Sequence, residues 1–416
     1  MSIVITGIGA RMAGSPSTSA FWENLRAGRP GVRSLTGDPR FTDIDNAMAA
    51  TVTCRRPSEA LPGLDHRHAR SCTDEALVAM AVMDQARRDA SLTDDAVDPG
   101  RLDVVASSSR GPLAWWTDHI RDRQGADPPA VPRTAALTGL PGAPATLYAI
   151  YGNVRGQVTT LSSACVGGHQ ALGWAVERLR TEAADAVIVA GHEFPVVPEL
   201  FTCYNTLGVL SRRVDDPPTA CRPYSRDRDG FVLGEGAVAL LLERSQSAHR
   251  RGARVYAEVL GQRSGNEARH ATGMDPTGRS AADLVCALMD DTRRRVGDVS
   301  YVAGHASGTS LNDLSECRMM RRLYAGTPPA AWPPLGGNKA VFGHTLGASG
   351  LVNAAACALM IHHQELARTR LPGPVDPECD LDHVAEGPRR GEVGLTLSLS
   401  FALGSQTSAL LLAAPS

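Results

Sequence analysis

The sequence predicts an α/β protein in which strands and helices alternate along the whole chain. Three observations carry that reading. Apolar, β-rich runs recur between runs of helical period rich in Ala and Gly. Several of the strand runs are continuously apolar, as expected where helices cover both faces of a sheet. The chain has 416 residues, 43% apolar and 21% charged, which suits a large core or two fused subdomains and argues against disorder. Together these imply βα units and a mainly parallel sheet.

Taken in order, "SIVITGIG" reads as the first strand and "SAFWENLRAG" as a helix that stops at Gly28. The glycines of "TGIGARMAG" suggest a tight turn after that strand. They make only part of a G-x-G-x-x-G dinucleotide fingerprint, and no acidic partner follows a second strand. "DEALVAMAVMDQARRDA" has helical period, with Ser71 and Asp74 spaced as a capping box. "RLDVVASSS", "QVTTLSS", "DAVIVAG", "VYAEVLG", "SYVAGHA" and "GLTLSLS" read as strands, and "GHQALGWAVERLRTEAA" and "HTLGASGLVNAAACALMIHH" as helices. The Pro/Gly-rich stretch from about 125 to 145 reads as a surface excursion over a site or an interface. The segments around residues 165 and 344 echo one another, each feeding a Gly- and Ala-rich helix, a faint sign of duplication.

The bulk composition excludes several functions. Net charge is −2 with no basic block, so nothing points to nucleic acid or an anionic membrane. The N-terminal run lacks the basic flank and the length of a signal peptide, and no apolar run reaches a bilayer span. Nine cysteines, an odd number with no CxxC pair, read as reduced thiols in a cytoplasmic chain without structural zinc.

Three small-residue stretches carry chemistry. "TLSSACVGGHQ" puts Cys165 where a strand meets a helix N-terminus, a setting that favours thiolate. "YVAGHASGTSLNDLSE" puts His305 at a strand end, and "NKAVFGHTLGASG" puts His344 where a Gly-rich turn enters a helix. A single cysteine is most often a small buried hydrophobe and a single histidine most often structural; two such histidines with a poised cysteine are less easily dismissed. Lys339 is the only lysine in the chain, because 41 of the 42 basic residues are Arg. That is either the drift of an arginine-rich genome or a position that needs a compact ammonium. The 140-residue spacing of Cys165 and His305 also suits a papain-like protease, but that reading leaves His344 and Lys339 idle.

With these motifs in order the sequence resembles the β-ketoacyl-acyl carrier protein synthases of the thiolase superfamily, the ketosynthases of fatty acid and type II polyketide pathways. The likeness spans essentially the whole chain. "SSACVGG" resembles the nucleophile motif, "CRPYSRDRDGFVLGEGAVALLLE" an internal family segment, "HASGTSLNDLSE" the first histidine motif and "NKAVFGHTLGASG" the Lys/second-histidine motif. The resemblance implies a thiolase-like fold of two duplicated βαβ halves in five layers, α-β-α-β-α. The halves would be residues 1–250 with the nucleophile and 251–416 with both histidines, joined by a polar linker, "SQSAHRRGAR". It implies decarboxylative Claisen condensation of an acyl-cysteine with malonyl-acyl carrier protein, more for polyketide than for fatty acid synthesis. It assigns Cys165 as acyl acceptor, His305 and His344 to decarboxylation, and Lys339 to organising the histidine region. The backbone N–H groups of Cys165 and Leu403 would form the oxyanion hole.

The same resemblance places Ser307 and Thr309 on the phosphopantetheine, Glu316 beside the lysine, and Phe401 and Leu403 at the acyl pocket. It calls for no metal and no cofactor beyond the carrier's phosphopantetheine arm. The implied partners are acyl carrier protein and a second subunit, identical or chain-length-factor-like. Three departures stand out: Ala306 and Ser307 in place of Gly and Thr, Asn353 in place of Glu, and "FALGSQT" with Leu403 in place of a gating aromatic. Two alternatives remain at this level. One is an acyltransferase or hydrolase on the same fold; the other is a non-catalytic chain-length subunit.

Overall fold

The computed structural model describes residues 2–52, 61, 64, 69, 72–125 and 127–415. Its centre is a ten-stranded sheet. From the middle outward, one side runs through Ile3–Met12, Gly236–Arg244, Ala186–Glu193, Leu102–Ser107 and Val158–Leu161. The other side runs through Ala257–Asn266, Gln406–Ala413, Leu395–Ala402, Tyr301–Ala303 and Leu335–Gly336. Numbered by chain order within each side, both read 1-5-4-2-3, with the same sequence of antiparallel and parallel pairings. The two sides join where Ile3–Ile5 pairs antiparallel with Ala257–Val259.

The sheet is mixed rather than mainly parallel: only four of these nine pairings are parallel. The antiparallel ones come chiefly from Gly236–Arg244 and Gln406–Ala413, the last strand of each half. Each carries an apolar run, AVALLL and ALLLA, and such runs do not reveal their direction. Helix Asp74–Asp89 covers the first half, and Arg279–Thr292 with Ser310–Leu323 covers the second. Helices Gly167–Arg180 and Ser349–His363 pack on each other between the halves. That gives five layers, α-β-α-β-α.

Those two central helices each follow the third strand of their half, so the faint echo seen in the sequence marks equivalent positions in the repeat. Leu346–His363 reaches the length and mean hydropathy of a membrane span, contrary to expectation, yet 89% of that window is buried in the fold. It is hydrophobic all round because sheet and helix surround it.

Local structure corrects three further expectations. Gly7 and Gly9 lie inside the first strand, not in a turn; a Cβ at either would sit 2.0 Å from a carbonyl of helix Asp74–Asp89. They exist for close helix–strand packing. That helix is capped by Thr73, whose hydroxyl accepts from the Ala76 amide, while Ser71 lies outside the described residues. The expected linker contains a short helix, Ser245–Arg250. The first helix does end at Gly28, with φ 63°.

Candidate active site

Cys165 stands two residues ahead of helix Gly167–Arg180, as its motif predicts. Gly168 after it admits the backbone of the other half, since a Cβ there would meet the Leu351 amide at 2.7 Å. The Ser400 hydroxyl, from the second half, donates to the Cys165 carbonyl at 2.7 Å. The thiolate expected from the helix start is outweighed by burial. Desolvation pushes the thiol up to about 12; the Lys339 and Arg110 charges pull it down and Glu193 pushes it up. Cys165 therefore rests as a thiol.

The imidazole within reach is that of His344: its Nε2 lies 3.3 Å from Cys165 Sγ. The segment after Phe231 stitches it in place. The His344 amide donates to the Val232 carbonyl at 2.7 Å, and the Gly234 amide donates to the His344 carbonyl at 3.0 Å. Gly234 cannot carry a side chain, because a Cβ would lie 2.3 Å from the Phe342 carbonyl. Beyond His344, the Glu193 carboxylate accepts the amides of Ser109 and Gly347, both at 2.8 Å, and that of Arg110 at 3.0 Å. Ser107 Oγ donates to the Gly347 carbonyl at 2.7 Å. Glu193 thus ties a first-half loop to the second-half histidine loop. It escaped the sequence reading; its one signal was an acid at the end of the apolar run "DAVIVAGHE".

His305 faces His344 edge to face, with ring centroids 5.0 Å apart. Lys339 Nζ lies 3.5 Å from His305 Nδ1 and also donates a short hydrogen bond to the His305 carbonyl. An ammonium can only donate, so Nδ1 accepts, and the proton of neutral His305 sits on Nε2. Burial and the Lys339 charge hold both imidazoles well below the usual histidine range, so both are neutral. His344 Nδ1 has no partner among the described residues, so its tautomer is not fixed.

Glu316 lies off the cavity wall and does not pair directly with Lys339. It is fully buried behind the histidine loop, where it accepts the Ala306 amide at 3.1 Å, the Tyr224 hydroxyl at 2.7 Å and the Asn312 amide at 3.2 Å. Burial pushes Glu316 up and Lys339 down, and each opposes the other's shift through its charge. Lys339 likewise lies behind His305 and off the cavity wall, so it positions rather than touches. Asn353 braces the same region: it accepts from Asn338 Nδ2 at 2.6 Å and donates to the Gly304 and Leu399 carbonyls.

The three site residues share one backbone feature. Ala164 before Cys165, Ala306 after His305 and Leu346 just beyond His344 have φ of 46°, 48° and 38°. Left-handed backbone is costly for residues with a Cβ and gathers at functional sites. A cavity of about 180 Å³ opens on these residues. Its wall includes Cys165, His305, His344, Ser307, Thr309, Phe401 and Leu403, so every expected site residue except Lys339 and Glu316 is brought together. Ser307 and Thr309 hydroxyls bond each other at 2.8 Å. Leu403 lies in the turn between the last two strands, partly exposed at the mouth. Larger depressions, of about 290, 380 and 630 Å³, have no cysteine among their described lining residues.

The Sγ and ring nitrogens of Cys165, His305 and His344 fall within 4.8 Å of one another, which a soft cation could also bridge. The Lys339 ammonium against His305 opposes a second cation there. Buried neutral imidazoles over a thiol suit acyl transfer instead.

Comparison with known proteins decides the relationship. Residues 1–248 match the model of the β-ketoacyl synthase N-terminal domain, and residues 256–371 that of its C-terminal domain. The chain belongs to the β-ketoacyl synthase family. It is 34% identical to the tetracenomycin polyketide synthase ketoacyl synthase alpha subunit of Streptomyces glaucescens, over 99% of this chain and 97% of that one. It is 30% identical to a 3-oxoacyl-[acyl-carrier-protein] synthase 2 of Synechocystis sp., over 98% and 97%. Among solved structures, a type II polyketide synthase acyl-carrier protein in complex with its hexaketide-bound ketosynthase matches with a TM-score of 0.89. The identity is 25%, covering all of this chain and 99% of that one. The ishigamide ketosynthase/chain length factor matches equally well, with a TM-score of 0.89 at 25% identity and the same coverage.

Proposed function

We propose that this β-ketoacyl synthase is the catalytic ketosynthase of a type II polyketide system. It accepts an acyl group on Cys165 and extends it by decarboxylative condensation with a malonyl group, both delivered on the phosphopantetheine arm of an acyl carrier protein. The observation that carries the reading is the 3.3 Å contact between Cys165 Sγ and His344 Nε2 on the floor of a cavity shared with His305. A subunit that only shapes a partner's pocket has no use for that pair.

In the first half-reaction the thiol attacks the thioester carbonyl and its proton passes to His344 Nε2. The imidazolium returns that proton to the departing pantetheine sulfur. Backbone N–H groups of Cys165 and Leu403 receive the carbonyl oxygen as it becomes negative. In the second, the malonyl carboxylate leaves as CO₂ and its electron pair becomes an enolate. His305 donates to the enolate oxygen through Nε2–H, and His344 does so in its Nε2–H tautomer. The enolate carbon then attacks the acyl-Cys165 carbonyl and the Cys165 sulfur leaves.

Ser307 and Thr309 would line the path of the pantetheine arm. The division into residues 1–250 and 251–416 is supported by the repeated strand order on either side of it. The chain length factor complex formed by a similar ketosynthase supports a two-subunit assembly, working in the cytoplasm.

The test is intact-protein mass spectrometry with acyl- and malonyl-carrier proteins. Wild type should gain one acyl group at Cys165, release CO₂ and form an extended product, and Cys165→Ala should gain none. Acylation without CO₂ or product would instead support simple acyl transfer.

A further inference from the structure

The strand that leads to Leu403 carries a row of buried hydroxyls with no part in the steps above. Leu395–Ala402 reads LTLSLSFA, and a strand's period of two sends alternate residues to opposite faces. Leu395, Leu397, Leu399 and Phe401 join the apolar core of the second half. Thr396, Ser398 and Ser400 lie on the other face and are fully buried. Ser398 Oγ lies 3.0 Å from His169 Nε2, on the helix that follows Cys165.

Ser400 does something its neighbours do not. Its hydroxyl crosses to the first half and donates to the Cys165 carbonyl at 2.7 Å. The carbonyls on either side are taken up locally: Ala164 by the Gly167 amide at 3.2 Å and Val166 by the Gln170 amide at 3.1 Å. No backbone amide reaches the Cys165 carbonyl among the described residues. Ala164, just ahead, is left-handed at φ 46°, and a strained turn stays in place only when its surroundings hold it.

The same strand delivers Leu403. Its ladder runs from Ser400↔Ser408 to Ala402↔Gln406, and Leu403 opens the turn beyond. That turn is fixed in its own right: the Gly404 amide and the Ser405 hydroxyl donate to the Ala271 and His270 carbonyls, both at 2.7 Å. The Leu403 amide has no acceptor among the described residues, and Leu403 shares the cavity wall with Cys165. A paired strand therefore spans the distance from the nucleophile's own peptide to a free N–H at the cavity.

We infer that Ser400 is a positioning residue: it clamps the Cys165 peptide to the strand that carries Leu403 and so keeps their two N–H donors aimed at one oxyanion, one from each half of the fold. The inference rests on the ketosynthase reading, in which those donors receive the thioester oxygen.

Ser400→Ala tests it, with Ser398→Ala as the control from the same face of the same strand. Ser400 is off the cavity wall, so its loss removes no substrate contact. Acylation of Cys165 by hexanoyl-pantetheine should lose about ten-fold or more in kcat, less than the loss of a whole oxyanion donor costs, with KM within about two-fold of wild type. Iodoacetamide supplies the second readout. It forms a bond from carbon to Cys165 Sγ and expels iodide without any oxyanion, so its rate should stay within about two-fold of wild type. Ser398→Ala should acylate at the wild-type rate, whatever either change does to thermal melting. An unchanged kcat in Ser400→Ala, a parallel fall in alkylation, or an equal fall in Ser398→Ala would each overturn the inference and leave the ketosynthase reading intact. A wild type that takes no acyl group on Cys165 would overturn both.

Discussion

Replacing Lys339 by Met tests whether one buried ammonium sets the chemistry of the second half-reaction. Methionine keeps a long unbranched side chain at a position that is 1% exposed and removes only the charge and its donors. The pinning contact to His305 Nδ1 is then lost, and the imidazole is free to place its proton on the wrong nitrogen. A hydrogen bond from a charged donor contributes about 1.5–3 kcal/mol. If that difference appears in the transition state, decarboxylation should slow by about ten- to 150-fold. Acylation of Cys165, which leans on His344, should change much less. Lys339→Arg keeps the charge but adds a planar fork to a filled site, an overpacking cost of about 1–3 kcal/mol, and should also lose decarboxylation.

The assay for these variants is CO₂ release from malonyl-carrier protein beside intact-mass acylation and thermal melting. The pH profile adds a second readout. Burial lowers the Lys339 pKa, so the group is charged on the acid side and loses its proton as pH rises. Decarboxylation should fall on the alkaline side earlier than an ordinary lysine, near 10.4, would allow, and Lys339→Met should lack that limb. A well-folded Lys339→Met enzyme with full CO₂ release would refute the argument and return the lone lysine to drift.

Other substitutions probe the rest of the site. Glu193→Gln turns an amide N–H₂ toward amides that need an acceptor, so melting should reveal a loss of about 1–3 kcal/mol, with slower decarboxylation as the His344 loop loosens. Leu403→Phe restores a flat ring at the mouth, and acylation by branched donors should fall relative to linear ones; an unchanged ratio would dismiss Leu403 as a gate. Ala306→Gly relieves a left-handed residue costing about 1–2 kcal/mol, against a lost methyl and a looser unfolded chain of similar total. Its melting point should therefore stay within a few degrees of wild type, and a large fall would mean that the Ala306 methyl is needed where it packs over Gly337.

Much of the site was legible because its chemistry is local. Cys165 at a helix start, His305 at a strand end and His344 in a Gly-rich turn each stand out from their immediate neighbours. What was not legible depends on distance in three dimensions. Burial reverses the ionisation that the helix start alone suggests for Cys165, and no local pattern reports burial by the other half. Glu193 and Gly347 are 154 residues apart, so their contact has no sequence signature. Glu316 shares a motif with His305, but the motif does not show that its helix turns it inward onto the Ala306 amide. The fold divided in the same way: βα alternation was plain, while the strand that closes each half was hidden among equally apolar runs.

The charge distribution explains why such a site favours the condensing step. Every residue on the cavity wall is neutral: hydroxyls, a carboxamide, a thioether, aliphatic and aromatic groups, one thiol and two imidazoles held uncharged. The nearest ammonium, Lys339, is covered by His305 and by the carbonyl it binds. A malonyl carboxylate entering this cavity therefore finds no cation on its wall. In the proposed condensation the negative charge moves to the enolate oxygen as CO₂ departs, where the His305 N–H is fixed and the His344 N–H is available. The wall thus stabilises the charge where it arrives better than where it starts, and only such differential stabilisation accelerates a step. A cation on the wall would cancel that difference by holding the carboxylate in place. This gives the lysine's position its meaning: close enough to orient His305, far enough back to leave the substrate's carboxylate unheld.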